Sequence, residues 1–440
     1  MRGDAVPASV RPCGSPHPAR LRDVRSRDHA TQLMGEKPMV LPLAGTRVID
    51  LTRALAGPFC ATILADMGAD VVKVEPAPDG DMIRAWGPFQ DGISVYYLSV
   101  NRNKRSLALN LRDPAAIDLL RGMAADADVV LENFKPGTME AMGLSADLLR
   151  AANPRLVYAS VTGFGRDGPY GNYAGLDQIA QGMSGLMSIT GEKGGQPTRV
   201  GIPIGDLVAG MWAAIGVQSA LLQRGVTGRG ERVETSLLAG LVGLLCVQGQ
   251  RYLSLGDVPQ AAGNDHPVIC PYGTFEAADG PFNMAAVTDE MWGRLCKLLD
   301  LEDLTSMPAF KDNTARMTNR ADLVARLNAR FATRTRAEWT ADLVALGLPT
   351  GPIFDMADVF GDAHVRHAGL VEEIAHPTLG TLKQLANPVR LEAFEGRSVR
   401  RPPPLLGEHS EDILRDWGIG DDRIAALIEG GTVLTSAKRS

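Results

Sequence analysis

Cysteine is sparse in this 440-residue chain, and the five present (Cys13, Cys60, Cys246, Cys270 and Cys296) are scattered with no CxxC pair among them. That pattern indicates neither a zinc site nor a disulfide framework, so a reducing compartment is the default. No cluster of metal-ligating side chains stands in their place, and no metal is expected. Apolar runs are short as well. The longest, at 237–247, falls well below the roughly 18 residues of a membrane span and holds two glycines. Neither sign of charge dominates: 45 basic and 51 acidic residues leave a net charge of −6. Nothing electrostatic favours nucleic acid or an anionic membrane as partner, and any phosphate binding must be local. The first strand-to-helix turn, "DLTRALAGPFC", has no GxGxxG. A dinucleotide fingerprint needs that pattern there, which disfavours a nicotinamide or flavin dehydrogenase.

Hydrophobic residues make up 45% of the chain, ample for a large core. Residues 1–38 differ from the rest. They are rich in Arg and Pro and have no apolar period, so they read as a disordered extension with Met34 or Met39 as the working start. They also lack the apolar core of a secretory signal. Asp4, Asp23 and Asp28 argue against a mitochondrial transit peptide. A cytoplasmic location is expected, or a mitochondrial one in a eukaryote. From Thr46 onward strand and helix alternate. "TRVIDLT", "DVVKVEP", "DVVLENF" and "LVYASVTGFG" read as strands. "PFCATILADMG", "DPAAIDLLRGMAADA" and "SADLLRAAN" read as helices, the second capped by Asp113 with Pro114 in its first turn. This predicts an α/β fold, a Rossmann-like large domain with a parallel sheet and helices on both faces. Its first part spans 39–225. A linker with a long helix follows at 226–262. A smaller α+β domain at 263–350 contains a hairpin around Asp279–Gly280. Residues 351–440 return the chain to the large domain.

Ligands on such sheets sit at the carboxyl ends of the strands. Asn133 ends the strand "VVLENF", where it either orients a ligand or forms the turn before Pro136. Arg102, Lys104, Arg105 and Arg112 fall within eleven residues of "NRNKRSLALNLRD". They either hold phosphates or form a solvated charged loop. Asp206 follows Gly205 and opens the helix "GDLVAGMWAAIGVQSALL". It is either a plain N-cap or a carboxylate that the helix dipole keeps ionised. In the second case Gly205 leaves room for a ligand, and the carboxylate can act as a nucleophile toward an acyl group.

Taken together, "DLTRALAGPFCATILADMGADVVKVE", "YLSVNRNKRSLALNL", "VVLENFKPG", "NPRLVYASVTGFG", "GLMSITG", "IGDLVAG" and "PPPLLGEH" resemble the class III CoA-transferases. That family also holds formyl-CoA transferase, carnitine CoA-transferase and α-methylacyl-CoA racemase. The resemblance runs from about Leu43 to Ile428. It is nearest the branch that works on succinyl-CoA and glutarate, through "DLTRALAGPF", "YLSVNRNK" and "RPPPLLGEH".

The resemblance implies that Asp206 attacks an acyl-CoA thioester. An acyl-aspartyl anhydride and then an aspartyl-CoA thioester would form, with no cofactor beyond coenzyme A as substrate. It implies that Ala54, Leu109, Arg112, Asn133 and Thr138 line the CoA site. Further basic contacts of the family fall on Pro76, Ala141 and Ala174 here, which shifts the phosphate contacts onto Arg102, Lys104 or Arg105. Asp177 matches an acidic residue near the active site. The family's glycine-rich cover loop is replaced by "GNDHPVICPY", residues 263–272. The partners implied are an acyl-CoA, a free carboxylic acid and a second copy of the chain in an interlocked homodimer. A short dicarboxylate needs a fixed cation in the pocket. Arg53 and Arg84, in loops after strands, are the candidates, unless they only pair with Glu75, Asp79 or Asp81. A racemase is the alternative within the family, but Leu176 stands where its proton-carrying His belongs. A non-catalytic acyl-CoA-binding protein is the other alternative.

Overall fold

In the computed structural model, residues 41–392 and 396–436 are described; the proposed extension and both candidate start residues lie outside them. The four strands expected from the β-branched runs join one sheet with three others. Arg47–Asp50 (β1), Asp70–Pro76 (β2), Lys104–Leu109 (β3), Val129–Glu132 (β4), Val157–Thr162 (β5) and Arg232–Ser236 (β6) pair in parallel. Val433–Leu434 (β7) joins antiparallel beside β3. The order is β7-β3-β2-β1-β4-β5-β6.

Adjacent strand residues point to opposite faces, and both faces are buried. Ile49, Val72 and Val130 pack against Pro114–Asp126 (α2) and the C-terminal helices Ser410–Asp416 and Asp421–Glu429. Val48, Val71 and Val129 pack against Ala56–Asp66 (α1), Ile204–Thr227 (α4) and Leu237–Leu244 (α5). A short helix, Asp177–Met183 (α3), precedes α4. As expected, Asp113 caps α2 by accepting from the Ala115 N–H at 2.9 Å.

Several elements depart from expectation. The "NRNKRSLALNL" cluster is neither a loop nor solvated; it is the buried strand β3 and the turn before it. The Arg102 guanidinium bonds Asp66 at 2.7 and 3.1 Å. Lys104 Nζ bonds Asp50 at 3.1 Å, Asn101 at 3.0 Å and the Pro58 carbonyl at 2.9 Å. Arg105 bridges Asp70 and Asp416. Each charge is buried because a carboxylate meets it. In residues 226–262 the strand β6 precedes the expected helix. Their helix breaks in two at Leu245–Cys246, where Cys246 has φ 40°. Within the returning residues 351–440, Val371–His376 and Gly380–Leu385 pair as an antiparallel hairpin.

One helix does reach membrane-spanning length. α4 has 24 residues and a best-window mean hydropathy of 1.3. It is nonetheless a core helix on one side, with Ala209, Ala213, Ala214 and Val217 packed against α1 and the sheet. Residues 272–352 build a second, three-stranded antiparallel sheet. It rests on its own apolar cluster, centred on Phe275, Phe282, Trp292 and Phe331. Its hairpin pairs Ala277 with Gly280, so the two turn residues are Ala278 and Asp279.

Candidate active site

The chain leaves β1 toward β2 and β3 on one side and resumes with β4, β5 and β6 on the other. The crevice outside the strand ends at such a reversal is where open α/β sheets bind ligands. A cavity of about 610 Å³ opens there. Its walls come from the loops after β1, β4 and β5, the segment before α3 and the start of α4. It brings together Arg53, Ala54, Asn133, Asp177 and Asp206 from the sequence reading. It also takes in Trp86, Tyr96, Lys135 and Arg199, which that reading did not single out.

The wall after β1 is held from below. Ala54 adopts φ 63°, a left-handed conformation that costs a residue with a Cβ. The Ala54 N–H donates to Asp81 Oδ1 at 3.1 Å. Asp81 is ion-paired with buried Lys73 at 2.8 Å, and Lys73 Nζ donates to the Thr52 carbonyl at 3.0 Å. Asn133 is a latch between two loops. Its side-chain oxygen accepts from the Arg53 N–H at 2.8 Å and its amide donates to the Arg53 carbonyl at 2.7 Å. The Arg53 guanidinium lies over the Phe134 ring, 4.6 Å from its centre.

Asp206 is the third residue of α4, and the N-cap position belongs to Pro203. Helix starts leave backbone N–H groups without intrahelical partners. Here Asp177, from a different helix, supplies the acceptor: the Gly205 N–H donates to Asp177 Oδ1 at 2.7 Å. Asp177 Oδ2 in turn accepts from Gln181 at 2.7 Å. A Cβ on residue 205 would stand 3.0 Å from Asp177 Oδ1 and 3.1 Å from Leu241 Cδ1. The glycine therefore admits the Asp177 carboxylate to the helix end, and the space is not left for a ligand.

This arrangement overturns the expectation that Asp206 stays comfortably ionised. Burial, and then the neighbouring Asp177 charge, push its carboxyl up to about 7. A helix N-terminus offsets only about 0.3–1 kcal/mol of such a cost. The Tyr96 hydroxyl is also raised, by burial first and then by Asp206 and Asp177, with Arg199 opposing. These four groups therefore share one electrostatic neighbourhood at the cleft.

The remaining sequence candidates lie elsewhere. Arg84 makes a two-pronged pair with Glu75 (2.7 and 2.7 Å) and bonds the Tyr97 hydroxyl and the Pro404 carbonyl. It faces a separate cavity of about 270 Å³, so its charge is spent on the fold. Arg102, Lys104 and Arg105 are likewise committed and do not reach the cleft. Leu109 is buried at the end of β3 beside Val433. Arg112 is exposed after β3, and Thr138 opens the short helix Thr138–Ala141. The 263–272 segment does not line the cleft; its Gly263 N–H bonds the Gly191 carbonyl at 2.9 Å. Among the described residues, no group of three His, Cys, Asp or Glu side chains is placed to hold a metal ion. The one sequence signal for Arg199 was its place seven residues ahead of Asp206, in "TRVGIPIGD".

Comparison with known proteins bears out the family resemblance. The model of CoA-transferase family III matches residues 43–410. The chain is 41% identical over 376 residues to succinyl-CoA:glutarate CoA-transferase of Mus musculus, covering 85% of this chain and 86% of that one. It is 38% identical over 391 residues to succinyl-CoA:mesaconate CoA-transferase of Haloarcula marismortui, covering 86% and 97%. Among solved structures it is similar to a CAIB/BAIF family protein from Brucella suis. That match has a TM-score of 0.77 at 38% identity and covers 86% of this chain and 100% of that chain.

Proposed function

The chain belongs to CoA-transferase family III, and from that premise we propose that it moves CoA from succinyl-CoA to a short dicarboxylic acid, with Asp206 as the nucleophile. The observation that carries this reading is the position of Asp206. It is a half-buried carboxylate, on the first turn of a long helix, facing a cleft at the reversal point of the sheet.

The Asp206 carboxylate attacks the thioester carbonyl, the C–S bond breaks, and CoA leaves as thiolate. The product on the enzyme is a mixed anhydride. Thiolate attack on the Asp206 carbonyl then releases the donor acid and leaves an aspartyl-CoA thioester. The acceptor carboxylate attacks that thioester, frees the thiolate again and forms a second anhydride. The thiolate resolves it at the acceptor's carbonyl, giving the new acyl-CoA and free Asp206. Only the ionised carboxylate can begin this cycle, so the raised proton affinity of Asp206 keeps the resting nucleophile half-armed near neutral pH. Ala54 and Asn133 in the cleft wall, with Arg112 and Thr138 beyond it, are the CoA contacts this reading assigns; Leu109, fully buried beside Val433, can only support them from behind. A racemase would need a proton carrier on each face of the α-carbon. Leu176, exposed in the cleft wall, cannot serve as one.

The reading includes a homodimer. α4 turns Met211, Trp212, Ile215, Leu222 and Val226 outward, and Cys246–Leu255 exposes Val247, Leu253 and Leu255. So much exposed apolar surface is a partner face.

Incubation with succinyl-CoA followed by hydroxylamine or borohydride should modify Asp206. The Asp206→Ala enzyme should fold and lose transfer. Modification at another residue, or full activity in that variant, refutes the assignment.

A further inference from the structure

Two arginines line the cleft that holds Asp206, and they stand in different surroundings. Arg53 is bound through its main chain to Asn133 on both sides, and its guanidinium lies over the Phe134 ring. It belongs to the wall built by the loops after β1 and β4. Arg199 belongs to the segment that leads into α4. Its neighbour Val200 donates its N–H to the side-chain oxygen of fully buried Gln181 at 2.9 Å. Gln181 donates to Asp177 at 2.7 Å. Asp177 accepts the N–H of Gly205, the residue before the nucleophile, at 2.7 Å. The backbone that carries Arg199 is thus fixed to the turn that carries Asp206 through two side chains.

We infer that Arg199 is the residue that recognises the distal carboxylate of a dicarboxylic acyl group, with Arg53 facing the CoA side of the cleft. The inference rests on the proposed function, since it needs an acyl group on Asp206. An acyl chain bonded there runs out into the cleft, and a terminal carboxylate leaving water must meet a cation. A guanidinium suits it best, because its fork matches both oxygens. Arg199 is available for this. Among the described residues it forms no ion pair, and its hydrogen bond, to the Gly201 carbonyl, is long at 3.4 Å. Asp177 is the neighbouring charge that acts on the Asp206 carboxyl, and no arginine holds it down. Tyr96 lines the same cavity as Asp206 and Arg199, and its hydroxyl feels both. The cavity of about 610 Å³ that all three line has room for a short carbon chain. The Gln181 and Asp177 bonds tie the backbone beside Arg199 to the backbone beside Asp206, the support that recognition of chain length requires.

The test compares acyl donors with and without a distal charge. For the full-length enzyme, kcat/KM is measured with succinyl-CoA and with butyryl-CoA, in wild type, Arg199→Gln, Arg199→Lys and Arg53→Gln. Arg199→Gln should lower kcat/KM for succinyl-CoA by about 10- to 100-fold, the range for losing one hydrogen bond to a charged group. Butyryl-CoA should change by less than about 3-fold, because no charge pair is lost with it. Arg199→Lys should recover part of the succinyl-CoA rate, and Arg53→Gln should weaken both donors alike. Equal losses for both donors in Arg199→Gln overturn the inference, as does a selective loss in Arg53→Gln. If the wild type does not prefer succinyl-CoA to butyryl-CoA, it is the dicarboxylate reading that fails.

Discussion

Replacing Asp206 with Asn should make the protein more stable, and by an amount that depends on pH. The unfolded chain releases the Asp206 proton near the ordinary value of 3.8, whereas the folded protein holds it to about 7. Between those values the folded state carries a proton that the unfolded state has given up. Stability of the wild type therefore falls as pH rises through that window. Above about 7 the folded state bears the full cost of an ion placed beside Asp177 and away from water. About three units at 1.36 kcal/mol each set a ceiling of ~4 kcal/mol. The carboxyl faces an open cleft, and removing it forfeits about 0.3–1 kcal/mol of helix-dipole attraction. A net gain of about 2–3 kcal/mol at pH 8 is expected. Urea unfolding of both proteins from pH 4 to pH 8.5 reads the difference directly. It should be near zero at the acid end, grow through pH 5 to 7 and level off above. A flat difference, or an Asn variant less stable than wild type at pH 8, would refute the claim that Asp206 is held ionised against its surroundings. The same carboxyl predicts that single-turnover acylation speeds up with pH and levels off above about 7.

Asp177→Asn keeps an acceptor for the Gly205 N–H but removes the charge that raises Asp206, so the midpoint of that acylation profile should move to lower pH; an unmoved midpoint in stopped-flow measurements counts against the coupling. Lys104→Met strands the buried Asp50 carboxylate, and breaking such a pair costs about 3–5 kcal/mol. Unfolding curves should show that loss, while KM for succinyl-CoA measured on the folded protein stays unchanged. A raised KM with unchanged stability would restore a phosphate-binding role for the cluster. Light scattering on the purified chain should give twice the monomer mass, and Trp212→Glu on the exposed face of α4 should halve it.

What could be read in the sequence follows from the range of the interactions involved. β1, β2, β4 and β5 are short β-branched runs, and α2 carries its cap and first-turn proline beside it, so local pattern located them. β3 was misread because its Lys104 and Arg105 look like solvent-facing charge. Their partners, Asp50, Asp70 and Asp416, come from other elements, and no local window contains them. Arg84 failed as a substrate residue for the same reason: Glu75 and the Pro404 carbonyl close around it. Asp206 stands out by its glycine and its place at a helix start, but only the family resemblance makes it a nucleophile, and its ionisation differs from the expectation. Position on the helix argues for an ionised carboxylate, while burial first, and then the charge of Asp177, 29 positions earlier in the sequence, argue the other way and win. That outcome bears on catalysis. Had Asp206 capped its own helix, its oxygens would be tied to backbone N–H groups, and its nucleophilicity would be lower. Because Asp177 satisfies the Gly205 N–H instead, the Asp206 carboxylate keeps its lone pairs for an incoming thioester. A carboxyl that is costly to ionise gains the most by becoming a neutral acyl derivative, so the same burial and repulsion that destabilise the resting enzyme would favour the covalent states of the proposed cycle.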